Sequence, residues 1–241
     1  MRRNRRLKGQ SSKRLRPLSK ARATYERLES RLPLAAIVSL DSASGTLSIE
    51  LPENGDSVAI NLDGGLVTLN GSTDLDGGQT LNAADLRNVD ISGDLTKADQ
   101  VVTLAGDYTN ANGAALQQLD ITDVGNVLIT GLYDFSGDVS VTLSNSDGAI
   151  DDSNAGQLTV AGDTVINAGD NVIRLDNSDN DFNTLSISTG GMVRNANIAD
   201  ANELVLICSL HNNIPLLIHV LVECLTKKYP ALCDVEVCGV G

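Results

Sequence analysis

From Gly45 onward the chain alternates apolar and polar residues in short bursts, each ended by Gly, Asn, Asp or Ser. Leu47-Ser48-Ile49-Glu50-Leu51 and Val58-Ala59-Ile60-Asn61-Leu62 set the pattern, and Val102-Thr103-Leu104, Leu119-Asp120-Ile121, Val139-Ser140-Val141-Thr142-Leu143 and Leu185-Ser186-Ile187 continue it. A period of two places every second side chain on one face, so each burst reads as a half-buried strand. The punctuating residues tolerate tight turns and left-handed backbone angles. Helical periodicity is weak, and 82–88 has room for a turn at most. An all-β fold follows.

The punctuation itself recurs. A small residue followed by Gly-Asp appears at Ser92-Gly93-Asp94, Ala105-Gly106-Asp107, Ser136-Gly137-Asp138, Ala161-Gly162-Asp163 and Ala168-Gly169-Asp170. Such corners suit a solenoid, in which neighbouring coils bury each other's apolar face. A coil of roughly 20–25 residues gives about seven rungs over the body. Aromatic residues are only 2% of the chain, with no Trp. A pair of β-sandwiches, the rival architecture, usually carries a core Trp or Tyr and longer strands. Stacked aliphatic coils do without rings, so the expectation is a right-handed parallel β-helix.

Charge divides the chain into three. Residues 1–31 hold 12 of the 18 Lys and Arg, residues 32–206 carry a net charge of -22, and residues 207–241 carry -1. The last segment also holds all four Cys and both His. The division drawn is a basic, disordered, export-like head (1–40), a solenoid body (41–206) and a compositionally foreign tail (207–241). Repeat phrasing stops in mid-strand at Glu203-Leu204-Val205-Leu206, which reads as a frame shift, the chain being the N-terminal piece of a larger surface protein. Without an apolar run of 18 residues, no membrane-spanning helix is expected.

Two stretches resemble known families. Leu28-Glu29-Ser30-Arg31-Leu32-Pro33-Leu34-Ala35, behind its basic run, resembles the LEPR-XLL-type motif of large bacterial secreted and surface proteins, with Ser30 where that family usually has Pro. Export to the cell surface is what this resemblance implies. Asp163 to Asn171 and then Asp176-Asn177-Ser178-Asp179-Asn180-Asp181-Phe182-Asn183-Thr184-Leu185-Ser186-Ile187 resemble the repeats of filamentous-haemagglutinin-like adhesins. That resemblance implies a β-helical stalk or adhesive region, secreted or on the cell surface, with extracellular matrix or cell-surface partners.

The chemistry-bearing residues point to no catalytic, cofactor-binding or metal-binding set. Asp151-Asp152 and Asp179/Asp181 are the densest acidic spots, yet a catalytic pair needs two carboxylates in different environments. The body offers only Arg87, Lys97, Arg174 and Arg194 as cations and has no His. A β-helix polysaccharide lyase or glycosidase would require Arg174 to cluster with Asp151 or Asp152 on one face. Calcium prefers Asp-rich loops, and Asp63-Gly64-Gly65 and Asp176 to Asp181 are the places for a weak cation. Asp and Asn bonding to their own turn backbone accounts for these loops more simply. Cys208, His211, His219, Cys224, Cys233 and Cys238 lack the paired short spacings of a zinc site, and outside the cell the four Cys allow two disulfides. The basic head lacks the aromatic interleaving of a nucleic-acid binder, so nucleic acid is not expected as a partner. The expected function is non-enzymatic: a structural or adhesive surface protein.

Overall fold

The computed structural model describes residues 36–63, 65–97, 99–109, 116–144, 148–152, 154–188, 195–202, 204–209 and 218–221. By its contacts the chain divides into two units, Met1–Leu32 and Pro33–Gly241, and every described residue belongs to the second. The export-like motif, the zinc-like positions His211, Cys224, Cys233 and Cys238, and Arg194 all lie outside the described residues.

Eighteen strands and one short 3-10 turn make up the described fold. In chain order the strands are β1 (Ile37–Asp41), β2 (Thr46–Glu50), β3 (Ser57–Asp63), β4 (Leu66–Leu69), β5 (Asn88–Ser92), β6 (Val101–Leu104), β7 (Asp107–Tyr108), β8 (Gln118–Val124) and β9 (Asn126–Ile129). They continue with β10 (Leu132–Phe135), β11 (Val139–Leu143), β12 (Ala149–Asp151), β13 (Gln157–Asn167), β14 (Val172–Leu175), β15 (Asp181–Ser188), β16 (Asn195–Ala199), β17 (Val205–Ser209) and β18 (Ile218–Leu221). The 3-10 turn, Ala83–Asp85, falls where the sequence allowed one turn and no more. The fold is all-β.

Apart from β1 with β2 and β3 with β4, strands that follow one another in the chain do not pair; strands one repeat apart do. β2, β5, β8, β11, the second half of β13, β15 and β17 form one parallel ladder. A second parallel ladder runs through β3, β6, β9, β12, β14, β16 and β18. A third joins β7, β10 and the first half of β13, which bends between Val160 and Asp163 into the first ladder. In the second ladder Val127, Ile150, Ile173 and Ala196 stand in register, 23 residues apart at each step. That interval lies inside the expected coil length. The sheets are nevertheless mixed, because β1 pairs with β2 and β4 with β3 in antiparallel fashion, which the even alternation of the sequence did not foretell.

Each ladder turns one set of side chains inward as a column. Ile49, Ile91, Ile121, Val141, Ile166 and Ile187 form one, and Val58, Val102, Val127, Ile150, Ile173 and Ala196 another, all buried. Burial of each Val or Ile in these columns is worth about 1.5–3 kcal/mol before the entropy of ordering is charged against it. The third ladder departs from the aliphatic expectation. All four aromatic residues among the described ones, Tyr108, Tyr133, Phe135 and Phe182, are buried along it. Tyr108 stacks on Tyr133 at 5.0 Å between ring centroids, and Tyr133 on Phe135 at 6.0 Å. Rings are few here, and the interior uses them where coils stack in register.

Glycines mark places where corner backbones touch. A side chain on Gly131 would strike the carbonyl of Gly106, and one on Gly162 would strike the Gly137 backbone and the Asp138 carboxylate. Parallel strands already sit about 4.8 Å apart, and corners that close further leave no room for a Cβ. Composition changes after residue 206, but pairing does not stop there: β17 continues the first ladder and β18 the second. At the other end, the division at residue 40 falls inside β1.

Candidate functional site

The clustering that would favour an enzyme occurs in part. Asp151 ends β12 in register with Arg174 of β14, and the Arg174 Nη1 donates to Asp151 Oδ2 at 3.0 Å. Asp152 points the other way, as successive strand residues must. It lies one residue past the Asp151↔Leu128 and Asp151↔Arg174 pairs, so it takes the inward place that Ile129 and Leu175 fill in neighbouring coils. The residue is 1% exposed, and its carboxylate accepts the Asp176 N–H at 3.1 Å, the Asn177 N–H at 3.4 Å and the Asn180 side-chain amide at 2.6 Å. Burial pushes this carboxyl above its ordinary value, against the pull of those hydrogen bonds. The two carboxylates therefore differ in environment, as acid–base partners should, but they face opposite sides of one strand and cannot address the same substrate atom.

The Asn/Asp phrases serve as fasteners between coils. Asn171 Oδ1 accepts the Gly148 N–H at 2.8 Å, and Asn180 Oδ1 accepts the Leu158 N–H at 2.9 Å. Asp200 Oδ1 takes the Phe182 N–H at 2.7 Å, and Asp163 Oδ1 takes the Thr184 hydroxyl at 2.6 Å. Bonding to a residue's own turn was expected, and some occurs, as where the Asp179 N–H donates to Asn177 Oδ1 at 3.0 Å. Most of the buried Asn and Asp groups instead satisfy the backbone of the adjoining coil, which the spacing in sequence could not reveal. Asp181 pairs in register with Thr159 of β13 rather than joining Asp179 in a ligand set. Among the described residues no three His, Cys, Asp or Glu side chains converge as a metal site would require.

The outward face of the first ladder holds the arrangement that the sequence reading overlooked. Ser39, Ser48, Asp90, Asp120 and Ser140 follow one another in register across β1, β2, β5, β8 and β11. A groove of about 270 Å³ runs along Ser39, Ser48, Asp90 and Asp120, with Glu50 and Thr122 beside it. Asp90 and Asp120 are thus like charges on adjacent strands, an unfavourable cross-strand pair. Burial, followed by the charge of Asp120, raises the Asp90 carboxyl. Asp120 Oδ1 is buried without a hydrogen-bond partner. The strands of this ten-stranded sheet contain no Lys or Arg. The signal was present in the sequence: Val89-Asp90-Ile91 and Leu119-Asp120-Ile121 are one phrase repeated. Without the register, nothing showed that they lie side by side.

Comparison with known proteins places residues 118–189 within the model of a family described as repeats of unknown function (DUF5649). The match runs from the start of β8 to the end of β15, the stretch over which the coils follow one another most regularly. No curated protein and no solved structure matches the chain significantly. No helix among the described residues is long and apolar enough to cross a membrane.

Proposed function

We propose that the chain is a secreted or cell-surface β-solenoid, a right-handed parallel β-helix that acts as a non-enzymatic stalk or adhesive region. The supporting observation is the outward face of the first ladder, where short polar and acidic side chains run in register from coil to coil. Such a face offers repeated hydrogen-bonding groups and carboxylates to an extended partner, a matrix or cell-surface polymer with cationic or hydrogen-bonding groups. Of the densest acidic spots of the sequence, Asp152 is occupied in fastening coils, as is the buried Asp200 further along, which supports the same reading. Two measurements test it. Fractionation of cells expressing the full chain should recover it outside the cell or at its surface. Purified chain should bind matrix-coated surfaces, and the double substitution Asp90→Ser with Asp120→Ser should weaken that binding. Retention in the cytosol, or equal binding by the variant, would refute the reading.

A carbohydrate-active enzyme is the second reading, favoured by the Arg174–Asp151 pair. Arg174, held by Asp151, would clamp the carboxylate of an acidic sugar. Incubation with acidic polysaccharides should then release new chain ends, and Arg174→Gln should abolish the release. No new ends from the unaltered protein would dispose of it.

A further inference from the structure

Among the strand pairs of the described residues, only β1 with β2 and β4 with β3 are antiparallel. Both sit at the same end, because β2 and β3 begin the two long parallel ladders. β1 lines the outer edge of β2 along its whole length, from Ile37↔Glu50 to Asp41↔Thr46. β4 does the same for β3 between Ile60↔Leu69 and Asp63↔Leu66. The far edge of β4 is closed in turn. Val67 N–H donates to the Leu81 carbonyl at 2.8 Å, Leu69 N–H to the Ser72 carbonyl at 2.8 Å, and Ala83 N–H to the Gly65 carbonyl at 2.9 Å. Leu75, Leu81, Ala83 and Leu86 from this excursion are buried in the core cluster.

A bare coil end is a row of unpaired N–H and C=O groups, a template for any strand that fits. The strands of another copy of this chain fit best, having the same length, the same inward aliphatic alternation and the same coil interval. A reversed strand on each ladder breaks that continuity, since a coil of a second copy running in the ladder's direction would meet β1 or β4 antiparallel, with a different hydrogen-bond pattern from the parallel ladder. We propose that β1 is a protective strand: it occupies the edge of β2 at which a second copy of the chain would otherwise add. This rests on the pairing pattern and is independent of the adhesive reading.

The test uses the full chain carrying Ser39→Pro with Leu40→Pro. Adjacent residues of an antiparallel strand donate in opposite directions, so one of the two prolines removes a donor to β2 whichever way β1 is phased. The unaltered chain should stay monomeric by light scattering on elution. The variant should retain its β-sheet circular dichroism and at least about double its mass as concentration rises toward roughly 100 µM. A synthetic peptide covering residues 36–45 should restore the monomer. A variant that stays monomeric over that range overturns the proposal, and so does self-association of the unaltered chain to the same extent. Loss of the β-sheet spectrum overturns it too, because β1 would then be required for folding rather than covering a finished edge. Hydrogen exchange on the unaltered chain gives an independent reading: β1 amides should exchange well before those of β5, and equal protection counts against a detachable cover.

Discussion

Thr164 breaks an otherwise aliphatic column. It lies in the second half of β13, in register with Val139 of β11 and Leu185 of β15, and is 1% exposed. Its hydroxyl has no hydrogen-bond partner. An unpaired hydroxyl in such a place costs about 1–3 kcal/mol in mutational series. Thr164→Val keeps the shape and the β-branched backbone preference while removing the unpaired group. Exchange of Thr for Val normally counts as disruptive because the hydroxyl is bonded; here the sign reverses, and a gain of about 1–2 kcal/mol is expected. Thr164→Ser retains the hydroxyl and deletes the methyl, at a loss of about 1 kcal/mol. Urea denaturation followed by circular dichroism should place the midpoints in the order Val, wild type, Ser with unchanged slopes. Stacked coils are stabilised mainly by their nearest neighbours, so the same order should appear in hydrogen exchange of β11 and β15. A valine variant no more stable than wild type would refute the reasoning, as would serine and valine variants of equal stability.

Three other outcomes follow from the same structure. The Tyr133 hydroxyl donates to the Ala105 carbonyl at 2.9 Å inside the core, so Tyr133→Phe should lower stability by about 1–2 kcal/mol in the same urea assay, while near-ultraviolet dichroism keeps the signature of the ring stack. Asp120→Asn removes the like charge beside Asp90, and carboxyl carbon chemical shifts should show Asp90 titrating at lower pH than in wild type; an unmoved titration would argue against the in-register pair. The pH profile should be inverted over part of its range. Asp152 and Asp200 have carboxyls raised above 3.8 chiefly by burial. A raised folded-state value favours folding in the protonated state, so their contribution grows as pH falls from neutral through the raised values and is lost again as pH rises. Asp41 and Asp94, held low mainly by hydrogen bonds from Ser44 and Thr96 respectively, act oppositely and lose their contribution as pH falls below 3.8. The urea midpoint should therefore rise on mild acidification and drop only in stronger acid, and a monotonic fall from neutral pH would contradict the assignment.

The strands, their inward residues and the all-β class could be read from the chain because a period of two is a local property: Ile49, Ile91 and Ile121 face inward for reasons contained in their immediate neighbours. An interval of roughly 20–25 residues was expected of a solenoid as a class, but the irregularly spaced Gly-Asp corners do not mark it: Gly131, Gly148 and Gly156 meet the coil beneath without a following Asp, and Gly169 with one does not. What the sequence could not contain is register. Asp90 and Asp120 are 30 residues apart and become neighbours only because β5 and β8 pair without a slip. Asp151 and Asp152 look like a matched pair in the chain, yet the pleat sends one out to Arg174 and the other in among aliphatic side chains. The stacking of Tyr108 on Tyr133 likewise depends on which strands align, not on how many rings there are. The reversed strands β1 and β4 carry the same alternation as the parallel ones, because side-chain alternation is indifferent to strand direction. The sequence by itself determined that this chain builds short strands between tight corners, with one apolar face on each. Only the tertiary structure decided which faces stack, which carboxylates meet, and where the ladders are closed, because those follow from hydrogen bonds between residues that are distant in the chain.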